Sequence, residues 1–251
     1  MKINTWRSRF AMAVVACGMA AGAWSQADTL LVGAFSALKV GAALPASWQP
    51  LGISTSKNQT RYTLVDDGGV TVLRADAKAA VAGLNRNIKV NLADYPMLKW
   101  RWKITNILIN SDIRTQEGDD YPARIYVMFD YPLDKLSFAD RTKLRIARAV
   151  YDPNLPAATL CYVWDSKAPA GTIVPSSYTN LMRMIVVESG AARVNQWLAV
   201  ERDVAADFKA AFGEAPPPVS AVALATDTDN TGEATTAFYG DISFYKQKVT
   251  K

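Results

Sequence analysis

The sequence predicts an all-β protein, an antiparallel β-sandwich or jelly roll of galactose-binding-like outline with two short helices. Three observations lead there. About ten short segments alternate apolar with polar residues, the two-residue period of half-buried strands. Gly, Pro, Asn and Asp separate these segments, as turn chemistry requires. Only two segments carry helical spacing, and they do not alternate with strands as a parallel βαβ sheet would demand.

In chain order, Arg61–Val65 and Val70–Ala75 flank Asp66-Asp67-Gly68-Gly69, a hairpin signal through its Asp-Gly and Gly-Gly pairs. Leu84–Leu92 alternates Ile88, Val90 and Leu92 with polar neighbours. Met97–Thr105 is the clearest strand: Leu98, Trp100, Trp102 and Ile104 point one way, Lys99, Arg101 and Lys103 the other. Ala123–Asp130 repeats the device with Ile125, Val127 and Phe129 opposite Arg124, Tyr126 and Met128. Thr159–Trp164, Leu181–Glu188, Gln196–Glu201, Val219–Thr226 and Thr236–Tyr245 complete the series. A helix is expected over Ser137–Tyr151, opened by Ser137 with Asp140 three residues on. A second runs from Asp203 to Phe212 and closes on Gly213, which suits the left-handed position after a helix end.

The first 27 residues read as an export signal. Lys2, Arg7 and Arg9 make a basic start, Phe10 to Ala23 is almost unbroken in apolar and small residues, and Ser25-Gln26-Ala27 supplies a small-x-small cleavage site. The expected product is a single domain over residues 28–251, periplasmic or secreted and without a transmembrane segment. Acylation at Cys17, within Val14-Val15-Ala16-Cys17, is the alternative cut. The leader holds three of the 28 basic residues and none of the 23 acidic ones, leaving residues 28–251 with a net charge of +2. That balance gives no footprint for nucleic acid, which needs concentrated basic surface. Cys161 is the one cysteine beyond the leader, in an alternating segment that predicts a small buried side chain. There is no histidine, so neither a Ser-His-Asp triad nor a Cys-His pair can form. Any metal would be a hard cation on oxygen ligands.

Several blocks resemble the bacterial domain-of-unknown-function 3047 family. They are Pro96-x-Leu98-x-Trp100-Arg101-Trp102-Lys103, Gly118-Asp119-Asp120-Tyr121-Pro122-Ala123-Arg124, Tyr162-Val163-Trp164, Ile185-Val186-Val187-Glu188-Ser189-Gly190, Phe212-Gly213-Glu214, Thr226-Asp227-Thr228-Asp229-Asn230-Thr231-Gly232 and Phe238-Tyr239-Gly240-Asp241-Ile242-Ser243-Phe244. The resemblance implies an exported bacterial protein and no established activity. The last block is also similar to the closing strand of galactose-binding-like jelly rolls and carbohydrate-binding modules.

Three constellations could carry chemistry. Asp227 and Asp229, in Asp-Thr-Asp-Asn-Thr-Gly, have the spacing of a tight calcium turn, although the twelfth position is Phe238 and not the glutamate of an EF-hand. The alternative is a polar turn whose side chains bond their own backbone. Asp119 and Asp120 stand next to each other, one of them an acid or base, a metal ligand, or a structural partner of Arg124 or Arg101. Lys99, Arg101, Lys103, Arg124 and Tyr126 would form one cationic, aromatic-edged groove if their two strands are neighbours. Such a groove suits an acidic polysaccharide, and Tyr126, Arg124 and Asp120 could then serve a histidine-free lyase or hydrolase. Trp48, Trp164 and Trp197 are either sugar platforms or core. The leading reading is an exported, non-catalytic sandwich that binds a glycan or other cell-envelope ligand, with calcium as the candidate cofactor. The alternatives are that enzyme and a structural or assembly partner in the periplasm.

Overall fold

The computed structural model describes residues 28–51, 58–150 and 153–247. The leader, Cys17 and the end of the first expected helix at Tyr151 lie outside the described residues. The strands are β1 (Thr29–Gly33), β2 (Gln49–Leu51), β3 (Arg61–Asp66), β4 (Thr71–Lys78), β5 (Val81–Val90), β6 (Met97–Ile104) and β7 (Ala123–Phe129). Helix α1 (Phe138–Val150) follows, then β8 (Ala158–Asp165), β9 (Ile173–Pro175), β10 (Met182–Ser189), β11 (Leu198–Asp203), helix α2 (Val204–Phe212), β12 (Val219–Asp227), β13 (Ala234–Tyr239) and β14 (Ile242–Tyr245).

These strands make two seven-stranded sheets, antiparallel except where β10 runs parallel to β8. Sheet II has the order β2-β5-β12-β7-β8-β10-β9. In sheet I, β6 takes β11 along one side and β13 with β14 along the other. The pairing of β13 and β14 with β6 slips by one residue at Gly240-Asp241, so the two act as one bulged strand. β4 then pairs with β13, β1 with β14, and β3 closes that side against β4. The predicted sandwich is the observed fold, with β1, β2 and β9 as short additions that lack a readable alternation.

The main core lies between the sheets. Leu98, Trp100, Trp102 and Ile104 of β6 meet Ile125, Val127 and Phe129 of β7 and Leu160, Tyr162 and Trp164 of β8. The rings form a chain: Trp100 lies 5.4 Å from Trp102 and 5.3 Å from Tyr162, and Trp102 lies 6.3 Å from Trp164. Trp48 is also buried, against Phe35. Helix α2 adds Phe208, packed edge-to-face with Phe129 at 4.6 Å between ring centroids. Its ends match the sequence signals: Asp203 accepts from the Ala206 N–H at 2.9 Å, and Gly213 adopts φ 82°.

The two sheets differ in what covers their outer faces. Sheet I keeps one face wet, so β6 alternates as read. In sheet II, β7, β8 and β12 are buried on both sides. A second cluster of Tyr126, Met128, Cys161, Val163, Ala221, Ala223 and Ala225 is roofed by Ile113, Tyr121 and Ala168 from loops. Small side chains on β12 leave room for that roof. No helix among the described residues is long and apolar enough to cross a membrane.

Candidate functional site

The expected single groove is corrected by the topology. β6 belongs to sheet I and β7 to sheet II, so Lys99, Arg101 and Lys103 do not share a surface with Arg124 and Tyr126. Alternation fixes which residues of one strand share a face; it does not say which sheet the strand joins. The five residues divide into a wet group and a buried one.

The buried group centres on Arg124. Its guanidinium pairs with Asp227 of β12, two residues beyond its ladder partner Ala225, and with Asp119 at 3.6 Å. The rings of Tyr121 and Tyr126 lie 5.0 and 5.6 Å from it. Asp227 also accepts the Tyr121 N–H at 3.2 Å, tying the roofing loop to β12. Asp120 uses both oxygens on the following turn, accepting from the Asn230 N–H at 3.3 Å and the Thr231 N–H at 2.6 Å. Asn230 in turn donates to the Gln116 carbonyl at 2.7 Å and to the Tyr178 hydroxyl at 3.1 Å. This network stitches the loop before β7 to the turn after β12.

Carboxylate oxygens of Asp120, Asp227 and Asp229 come within 4.8 Å of one another, which makes these three the residues that could hold a hard cation. Asp120 is the member the spacing of the turn did not supply, because it comes from a loop 107 positions earlier. Burial raises the Asp229 carboxyl above its ordinary range, with the Asp120 charge adding to it. Asp119 is raised chiefly by burial, against the pull of Arg124. Burial pushes the Tyr126 hydroxyl up as well, and the Cys161 thiol to about 12. A tyrosine sealed under a loop and harder to deprotonate is poorly suited to act as a base on a polymer.

The wet group lies across sheet I. Lys99, Arg101 and Lys103 leave the outer face of β6 in a row, and aromatic side chains from three other strands or loops interleave with them. Arg101 stacks over Trp197 at 4.5 Å, Lys103 lies over Phe238 at 4.6 Å and Trp197 at 5.2 Å, and Lys99 lies over Tyr245 at 5.3 Å. The backbone at Gly240 has no room for a Cβ beside the Arg101 side chain, so the glycine of the bulge lets Arg101 lie flat across the sheet. Asp67, from the β3–β4 turn, accepts from Lys103 at 2.6 Å and from the Trp197 indole at 2.5 Å. Those bonds, Lys103 first, hold the Asp67 carboxyl below its ordinary range. Glu201 accepts from the Tyr245 hydroxyl at 3.0 Å. Trp197, Phe238 and Tyr245 are all half-buried. Sequence reading named Trp197 only together with Trp48 and Trp164, as platform or core, and did not name its partners, because Phe238 and Tyr245 reach this face only through the β13–β14 pairing.

No curated protein matches the sequence. Among solved structures, the chain is similar to the Endo-D glycoside hydrolase domain from Streptococcus pneumoniae R6 at 12% identity and a TM-score of 0.34. That alignment covers 80% of this chain but only 22% of the other. A family 29 carbohydrate binding module, CBM29-2, gives 13% identity, coverages of 87% and 91% and a TM-score of 0.34. The carbohydrate recognition domain of Emp47p gives 12%, 88%, 96% and 0.42. Likenesses of this size carry no argument about ligand or activity. The profile of the family described as protein of unknown function (DUF3047) matches residues 46–243, which takes in every strand from β2 to β13, and the chain belongs to that family.

Proposed function

We propose that this is an exported, non-catalytic β-sandwich that binds an acidic glycan of the cell envelope on the outer face of sheet I. The observation that supports it is the row of Lys99, Arg101 and Lys103 set among Trp197, Phe238 and Tyr245. Aromatic faces stack on the apolar faces of sugar rings, while the cations between them suit carboxylate or sulfate groups. Asp67 and Glu201 fix the side chains beforehand, which lowers the entropy lost on binding. The residues a lyase would need, Tyr126, Arg124 and Asp120, are engaged in a buried network, which favours binding over catalysis.

The test is a titration of the protein with polyuronates, sulfated and neutral oligosaccharides, read by calorimetry and by product analysis. Binding to acidic glycans, weakened about tenfold or more by Trp197→Ala, with no new unsaturated ends, is the expected result. Equal affinity of wild type and Trp197→Ala would remove sheet I as the site. Unsaturated product would reinstate the enzyme.

A further inference from the structure

β7 and β8 are antiparallel neighbours, a pairing that two residues can close, yet residues 130–157 lie between them. That excursion carries α1, and α1 adds little to either core: Leu144 is the one residue it buries. A lone helix of this length is marginal in water, so local bonds hold it. Ser137 donates to Asp140 at 2.7 Å and accepts the Asp140 N–H at 3.0 Å. Arg141 donates to the Asp134 and Leu136 carbonyls at 3.2 Å, and Arg148 to the Leu155 carbonyl at 2.7 and 2.9 Å.

On the side away from Leu144 the helix carries apolar side chains that nothing among the described residues covers. Phe138 is 85% exposed, Ile146 60% and Val150 64%. At the helical repeat these three share one stripe with Ala139, Thr142 and Ala149. Arg141, Arg145 and Arg148 border the stripe on one side and Lys143 on the other. With Asp140 the only acid, α1 carries a net charge of +3, whereas residues 28–251 as a whole carry +2. The rest of that segment is therefore net negative by one. Among the described residues none of the four cations of α1 is ion-paired.

We propose that α1 is an interfacial helix that docks this protein on an anionic lipid surface, with Phe138, Ile146 and Val150 among the acyl chains and Lys143 and Arg145 at the headgroups. An exposed apolar stripe bordered by unpaired cations is the pattern that a charged bilayer satisfies on both counts. A purely apolar partner would satisfy the stripe and leave the cations without counter-charge. The site is remote in sequence from the aromatic face of sheet I and stands whether or not that face binds a glycan.

The test is hydrogen exchange of the full chain, read on peptides spanning 138–150, with phosphatidylcholine vesicles that contain or lack phosphatidylglycerol. Local readout on α1 separates it from any lipid affinity of the N-terminal segment. Protection confined to phosphatidylglycerol vesicles is expected. It should weaken about tenfold in Ile146→Asp, which removes one apolar contact, and in Lys143→Glu/Arg145→Glu, while Ile146→Leu retains it. Because all these positions are exposed, melting temperatures should match wild type and confirm folding. Unchanged exchange in α1, or protection that survives the charge reversal, would overturn the proposal. So would protection already present without lipid that Ile146→Asp abolishes together with a fall from dimer to monomer, since a second copy would then be the occupant.

Discussion

Arg124 and Arg101 carry the same charge and lie on strands with the same alternation, yet burial gives them opposite roles. Arg124 is removed from water between two carboxylates and two aromatic rings. Desolvating a guanidinium costs several kcal/mol, and its neighbours offset that only while all are present. Arg124→Met is therefore expected to destabilise the protein by about 3–5 kcal/mol in urea unfolding, because it leaves Asp119 and Asp227 buried and unpaired. Arg101→Ala removes a half-exposed side chain and should cost less than about 1 kcal/mol in the same assay. Asp67 makes a sign-specific case. Its folded pKa is depressed, chiefly by the Lys103 bond, so its contribution is complete above the unfolded-state pKa and is lost as pH falls through the folded value. The gap in melting temperature between wild type and Asp67→Asn should be widest near neutrality and close in acid. A gap that widens in acid would mean that Asp67 does not stabilise the fold as a carboxylate.

At the scale of elements, legibility followed the strength of the local rule. The hairpin between β3 and β4 was readable because Gly68 and Gly69 supply the positive φ that its turn needs, 70° and 84°. Gly69→Ala is expected to cost about 1 kcal/mol, measured by thermal unfolding, since an L side chain is strained there. The start of α2 at Asp203 was readable for the same kind of reason, and Asp203→Ala should cost about 1 kcal/mol through the lost N-cap bond to Ala206. β2 and β9 escaped because three residues hold too little of a two-residue period to stand out. The double burial of β7 was equally hidden. Its Arg124 and Tyr126 read as a polar face, but the loop that roofs them is fixed by Asp227 and Asn230, more than a hundred positions away. The pairing of Asp119 with Arg124 was one of the readings open in the sequence; the second partner, Asp227, was not.

The whole molecule is a sandwich with one outer face sealed and the other open, and this asymmetry makes binding and stability separable. On sheet II the outer face is a second core, so Tyr126→Ala or Val163→Ala opens a cavity and should cost about 2–5 kcal/mol. Such variants, studied below their melting temperature, should keep wild-type affinity for an acidic glycan, since nothing of sheet I moves. On sheet I the outer side chains rest on a core they do not form, so Lys99→Ala, Arg101→Ala and Trp197→Ala should weaken binding with little change in melting temperature. Raising salt should mimic the two cation variants and not the tryptophan one, because screening acts on exposed charges and leaves ring stacking in place. Measuring affinity and melting temperature across both sets, at low and high salt, checks the argument in one experiment. Binding lost in step with stability on either sheet would mean that the faces are coupled and that the row of cations on β6 is not, by itself, the ligand surface.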